Sequence, residues 1–272
     1  MSQRDDYEPG VPCWVDTLQP DPNAATAFYA GVFGWEFAGP GPMPGDSPGG
    51  YFVARMRGRD VAGVGGQPAS DGPSQPSWNT HVFVESAADA AARAQGAGGS
   101  VLVEPFDALP AGRMAVLTDP TGAAFCVWEP GERRGAQLVN EPGAWAMSHL
   151  QTPDPEQAAA FYAALFGWTT ETFGEGEGAV TMFRLPGYVG GEPHQPVSRE
   201  VVATMGARGE ATPAQWTANF WVHDVDAAAA KAAELGGSAL VAPFDTPIAR
   251  TAVLADPHGA SFSINNVPGA ER

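Results

Sequence analysis

The chain is predicted to be an α+β protein of two tandem domains, each built from two strand–helix–strand–strand–strand units. The first ground is internal repetition. Pro20-Asp21-Pro22, Phe28-Tyr29 and Phe33-Gly34-Trp35 return as Pro153-Asp154-Pro155, Phe161-Tyr162 and Phe166-Gly167-Trp168, a spacing of 133 residues. Further on, Trp78, Gly98-Gly99, Pro105-Phe106-Asp107 and Asp119-Pro120 answer to Trp216, Gly236-Gly237, Pro243-Phe244-Asp245 and Asp256-Pro257. The second ground is that each half holds two short helical patterns with acceptable caps. The third is that the segments between them are short, β-prone and bounded by Gly and Pro.

In order, Val11 to Leu18 is a strand pattern closed by Pro20. Asp21 caps a helix with Pro22 at its first position, Ala24, Phe28 and Phe33 on its buried side, and Gly34 as its stop. Trp35 to Ala38, Tyr51 to Met56 and Asp60 to Gly65 follow as strands. The unit then restarts with strand Asn79 to Val84, helix Ala87 to Gln95 and strands Val101 to Val103, Arg113 to Leu117 and Ala124 to Trp128. The second half repeats the scheme from Ala146 to Asn265. Pro130 to Pro142 is charged, Gly-rich and without periodicity, so the expected division is 1–132, a linker at 133–142, and 143–272. Gly39 to Gly50 and Pro186 to Pro213 read as long loops, lids or tolerated insertions, with a short helix expected at Arg199 to Met205.

Composition narrows the function. Thirty-one acidic residues face 14 basic ones, a net of −17. No basic patch exists to displace counterions, so nucleic acid is not a partner, and an anionic membrane would repel the chain. The excess acid either keeps the protein soluble or favours a cationic small molecule. No apolar run spans a bilayer and the N-terminus lacks a signal-peptide core, which places the protein in the cytoplasm. Cys13 and Cys126 make no disulfide framework. Asp107 with Arg113 and Asp245 with Arg250 recur, as loop-bracing ion pairs or as arginines gripping an anion. His194, His223 and His258 fall on turns and should be solvated.

The ordered, duplicated motifs resemble the vicinal oxygen chelate superfamily, the glyoxalase, bleomycin-resistance and extradiol-dioxygenase group, and most of all its tandem two-domain branch. The resemblance implies that each half curls a mixed, largely antiparallel sheet into a cup with the helices outside. It also implies a divalent metal on the sheet. The family's ligand positions fall on Trp14, Asn79 and Cys126, then Met147, Thr217 and Ser263, none a usual ligand there. No metal or other cofactor is therefore expected. Asp16 and His81, one pleat away, are the residues a displaced metal would use, with no third donor evident.

In the family's register, the residues facing the first cup are Trp14, Asp16, Asn79, His81, Phe83, Cys126 and Trp128. Those facing the second are Met147, His149, Thr217, Asn219, Trp221, Ser263 and Asn265. Val15, Val82, Val84, Phe125, Val127, Phe220, Val222, Phe262 and Ile264 have the opposite parity and should pack beneath the helices. Aromatic plates mixed with a few polar groups suit a small-molecule pocket, although they could instead fill a closed cup. Trp14, Trp128 and Trp221 could stack on a flat ring. Asp16, its pKa raised by burial, is a candidate general base with His81 beside it, or the two form an ordinary hydrogen bond.

The first expectation is a metal-independent binding protein for an aromatic, neutral or cationic, polyketide-like natural product. It would act in sequestration, in resistance or beside a biosynthetic enzyme, as a monomer or homodimer. The alternatives are a metal-free isomerase, lyase or hydroxylase-like enzyme using Asp16 and His81, and a metal-dependent glyoxalase or dioxygenase with displaced ligands.

Overall fold

The computed structural model describes residues 3–43, 49–68, 75–174, 179–190, 199–209, 212–246 and 249–266. The first half runs β1 (Pro12–Gln19), α1 (Pro22–Phe33), β2 (Glu36–Gly41), β3 (Tyr51–Met56), β4 (Arg59–Gly66), β5 (Trp78–Phe83), α2 (Ala87–Gly96), β6 (Ser100–Ala108), β7 (Gly112–Thr118) and β8 (Ala124–Pro130). The second runs β9 (Trp145–Thr152), α3 (Pro155–Phe166), β10 (Thr169–Phe173), β11 (Val180–Arg184), β12 (Val201–Ala207), β13 (Gln215–Trp221), α4 (Val225–Glu234), β14 (Ser238–Asp245), β15 (Arg250–Ala255) and β16 (Ser261–Asn266). Each half forms one eight-stranded mixed sheet, ordered β2-β3-β4-β1-β5-β8-β7-β6 and β10-β11-β12-β9-β13-β16-β15-β14. Among the described residues the parallel pairs are β1 with β4, β5 with β8, β9 with β12 and β13 with β16. The predicted α+β fold with two tandem units per half is therefore the one formed.

Local chemistry explains the helix ends. The Asp21 carboxylate accepts from the backbone N–H groups of Asn23 and Ala24, and Asp154 does the same for Gln157. Gly34 and Gly167 stop α1 and α3 in the left-handed region, at φ 72° and 73°. Ala24 is exposed and Ala25 takes the buried position instead, because Tyr29 also turns inward and widens the apolar stripe. Arg199 to Met205 does not form the expected helix. Val201 to Ala207 is strand β12, inserted between β11 and β9, and its Val202–Thr204 alternation with Val201–Ala203–Met205 serves a two-faced sheet.

The helical layer is shared between the halves. Tyr29 of α1 donates to Asp256 in the turn after β15 (2.8 Å) and accepts from Trp78 Nε1 (3.0 Å). Reciprocally, Tyr162 of α3 donates to Asp119 after β7 (3.1 Å) and accepts from Trp216 Nε1 (2.9 Å). Phe28 and Phe33 meet Phe262 and Phe220 edge-on or tilted, and Phe161, Tyr162 and Phe166 surround Phe125. Gly99 and Gly237 lie where the chains come closest. A Cβ on Gly237 would sit 2.9 Å from the ring of Phe28, and one on Gly99 2.7 Å from that of Phe161. Trp35 and Trp168 donate to the carbonyls of Gly143 and Gly10 across the same boundary. Between the helix pairs the two sheets touch directly, with Thr80 Oγ1 2.7 Å from Ser148 Oγ. The helix-facing surfaces of the two sheets thus meet, and their concave faces point away from each other. Val15, Val82, Val84, Phe125, Val127, Phe220, Val222, Phe262 and Ile264 are all buried on the helix side, as the parity requires.

Candidate functional site

Strand register sets what each concave face presents. In the first sheet Trp14, His81, Cys126 and Val116 form one row, and Asp16 pairs with Asn79 one pleat along. The floor is closed: Trp14, Asp16, His81, Phe83, Cys126 and Trp128 are all buried, and Asn79 is half-buried. Asp16 is its centre. Its Oδ1 accepts from Asn79 Nδ2 (2.9 Å) and lies 3.1 Å from His81 Nε2, while Oδ2 accepts from Tyr51 OH (3.0 Å). The His81 contact is an ion-pair distance with poor hydrogen-bond alignment, and neither ring nitrogen of His81 has a well-directed partner. Trp14 Nε1 donates to Tyr51 OH (2.9 Å).

This network corrects the expectation of a raised Asp16 pKa. Burial pushes the carboxyl up, but His81, Asn79 and Tyr51 together outweigh it and hold Asp16 below its ordinary range. An anion so satisfied is a weak base. Burial also drives the Cys126 thiol well up, so no thiolate is available there.

Tyr51 and Arg133 were missed from sequence. Tyr51 fits because Gly63 and Gly65 on the adjacent strand have no side chain, and a Cβ on Gly63 would overlap the Tyr51 hydroxyl. That glycine alternation beside an inward tyrosine was the readable signal. Arg133 comes from the segment between β8 and β9, pairs with Asp60, covers the Trp14 ring at 5.3 Å, and offers its carbonyl to Trp128 Nε1. Trp14 and Trp128 therefore face Arg133.

The second concave face differs. Met147, Asn219, Ser263, Val253 and Val241 form one row, Trp221, Asn265, Thr251 and Phe244 the next, and His149, Thr217 and Thr204 another. Apart from buried Thr217, the site residues predicted for this face (Met147, His149, Asn219, Trp221, Ser263 and Asn265) are half-buried. Phe173, Val180, Val241 and Phe244, all in concave rows, are openly exposed. Asn219 Nδ2 donates to Ser263 Oγ (2.9 Å), and the Asn265 Oδ1 is buried without a partner. His149 Nδ1 lies 2.9 Å from Thr204 Oγ1, and burial lowers its pKa to about 4, so it is neutral at physiological pH. Glu171, at the outer edge of the His149 row, is paired with Arg184, which also meets Glu200 at 3.8 Å.

Among the described residues, no three of His, Cys, Asp and Glu come together. The positions where the resemblance places metal ligands carry Trp14, Asn79 and Cys126, then Met147, Thr217 and Ser263. Asp16 and His81 find no third donor, so this donor chemistry does not fit a divalent metal. His223 is exposed and His258 half-buried with an unpartnered Nδ1, while His194 lies outside the described residues. Both recurrent ion pairs form, Arg113 with Asp107 at 3.7 Å and Arg250 with Asp245 at 3.0 Å. Among the described residues, no helix is long and apolar enough to cross a membrane.

Residues 14–128 and 134–265 each match the glyoxalase-like domain family. The chain belongs to that family. It has the tandem fold of the vicinal oxygen chelate superfamily. The Mycobacterium tuberculosis protein CFP32, named for a proposed glyoxylase activity, is 37% identical over 97% of each chain. The anthracycline biosynthesis protein DauV of Streptomyces sp. strain C5 is 37% identical, over 95% of this chain and 94% of its own. Among solved structures, the Mn(II)-bound glyoxalase of Novosphingobium aromaticivorans superposes with a TM-score of 0.62 at 16% identity, over 94% of this chain and 82% of its own. The 2,3-dioxygenase LapB of Pseudomonas sp. KL28 gives 0.62 at 11% identity, over 96% and 93%. At such identities the likeness to this family member is one of fold.

Proposed function

We propose that the protein binds a planar aromatic natural product in its second cup, without a metal, and serves sequestration, resistance or a biosynthetic enzyme. The observation that carries this is the second concave face. It leaves Phe173, Val180, Val241 and Phe244 exposed around half-buried Met147 and Trp221, with amides and hydroxyls among its polar groups. An exposed apolar concavity with convergent uncharged donors suits a flat guest bearing carbonyl or hydroxyl groups. Asn219, Ser263 and Asn265 would bond its edge and Trp221 would stack on its face, with Thr217 and His149 below. The ring body is uncharged, because among the described residues the charges of this face, Glu171 and Arg184, are paired with each other at its edge. The relative named for anthracycline biosynthesis supports the class, since anthracyclines are fused-ring aromatics. In the first cup Trp14, Asp16, His81, Phe83, Cys126, Trp128 and Asn79 are occupied with one another, which favours a supporting role for that floor.

Tryptophan fluorescence titration with a neutral anthraquinone tests the reading. Wild-type protein should quench saturably, and Trp221→Leu should weaken binding by about tenfold, the loss of a stacking contact worth ~1 kcal/mol plus its buried area. Equal affinity in Trp221→Leu and wild type would refute this placement.

A further inference from the structure

A cavity of about 50 Å³ adjoins the second cup and is bounded by Arg4, Tyr7, Trp145, Met147, Tyr188 and Arg199. Met147 belongs to the cup's own floor, so cavity and cup share a wall. We propose that Arg4 and Arg199 form an anion clamp that takes the carboxylate of an aromatic acid whose ring lies in the second cup. The inference rests on the ring site proposed above and adds its charged end.

The two guanidiniums come from opposite ends of the chain to one place. In a protein of 31 acidic and 14 basic residues, cations normally find carboxylates. Arg57, Arg133, Arg134, Arg184 and Arg250 all do. Arg4 and Arg199 make no ion pair among the described residues. Arg4 is held by its backbone N–H to Gln137 O (3.0 Å), yet its side-chain Nε is buried and bonded to nothing. Arg199, an exposed residue, donates through Nε to Gly190 O (2.9 Å), which orients the guanidinium, and its Nη groups have no hydrogen-bond partner among the described residues. Both act at the Tyr188 hydroxyl, where burial raises the phenol's pKa, Arg4 and Arg199 lower it, and Glu8 opposes them. Of the charges acting on that phenol, Arg4 is the strongest.

Size and chemistry agree. A cavity of about 50 Å³ admits a small planar oxyanion such as a carboxylate. Guanidinium forks bind planar oxyanions in pairs of parallel hydrogen bonds, which a lysine does not reproduce. Arg4 also lines a larger cavity of about 350 Å³ beside Arg133 and Arg134. Its other guanidiniums, Arg133 and Arg134, are already paired with Asp60 and Asp6.

The test compares anthraquinone-2-carboxylate with anthraquinone-2-carboxamide by tryptophan quenching at low salt. The acid should bind about tenfold tighter than the amide, one charge-assisted contact's worth of discrimination. Arg4→Gln, Arg199→Gln and Arg199→Lys should each pull the acid toward the amide while leaving the amide unchanged. Equal affinities for acid and amide, or a preference that survives both glutamine variants, would overturn the clamp and leave the ring site standing. Failure of both probes to bind would remove the ring site and the clamp together.

Discussion

Replacing Tyr51 by Phe isolates the polar centre of the first cup. The ring stays, so no cavity opens, but one hydroxyl disappears that both donates to Asp16 Oδ2 (3.0 Å) and accepts from Trp14 Nε1 (2.9 Å). A hydrogen bond to an ionised carboxylate contributes about 1.5–3 kcal/mol, and an indole N–H left without an acceptor costs about 1–3 kcal/mol. Tyr51 is half-buried, so water recovers part of this, and a loss of roughly 2–3 kcal/mol is expected at pH 7. The pH dependence gives the sharper signature. The folded-state pKa of Asp16 lies below its ordinary value of 3.8, so its stabilising contribution is complete above that value. It is lost as pH falls through the lower folded value. Removing one group that lowers the pKa should therefore cost most near neutrality, and the gap between variant and wild type should narrow below pH 3.8. Urea unfolding at several pH values, with equal m-values checked, measures both effects. A loss under about 0.5 kcal/mol, or a gap independent of pH, would refute the account of Asp16 as a satisfied anion.

Three further outcomes are expected. Gly237→Ala should destabilise by about 1–3 kcal/mol through overpacking against Phe28 and the Ala255 carbonyl, measured by thermal or urea unfolding. Because Tyr29, Tyr162, Asp119 and Asp256 join the halves, fluorescence and circular dichroism should report one coincident unfolding transition, and Tyr162→Phe should shift it without splitting it. His149 is neutral in the fold, with a pKa near 4 against an ordinary 6.5. Stability it contributes is thus whole above pH 6.5 and falls as pH drops toward 4, by on the order of 1–3 kcal/mol, a slope that His149→Gln should remove in urea titrations.

The fold was legible because its signals are local. Asp21-Pro22 and Gly34 bracket α1 by capping chemistry, and the parity of Phe220, Phe262 and Ile264 names the buried face of their strands. What was not legible depended on neighbours far away in sequence. Val201 to Ala207 has the composition of either element, and only the vacancy between β11 and β9 decides for strand. Asp16 could be placed on the inner face from alternation alone. Its ionisation could not, because the outcome turns on whether Asn79, His81 and Tyr51 bring enough hydrogen bonding to exceed desolvation. Tyr51 pointed inward by the same alternation, but its role needed the space that Gly63 leaves on another strand.

The repeated motifs themselves have a physical explanation that bears on function. Phe28-Tyr29 meets Gly237 and Asp256, and Phe161-Tyr162 meets Gly99 and Asp119, so each half's first motif is completed by the other half's later ones. Repetition therefore marks the shared helical layer, where both copies satisfy the same packing problem. The concave faces are free of that constraint and have diverged at every predicted site position. Trp14 stands opposite Met147, Asp16 opposite His149, His81 opposite Asn219, Phe83 opposite Trp221, Cys126 opposite Ser263 and Trp128 opposite Asn265. One face became a closed, ionised, aromatic floor and the other a more open one whose Glu171 and Arg184 pair at its edge. A site built from one copy need not exist in the other. Exchanging Trp221 for Phe and Asn265 for Trp should thus bring the second face toward the closed state and abolish anthraquinone quenching without unfolding the protein. Retained quenching in that double variant would show that the open floor is not where the ring lies.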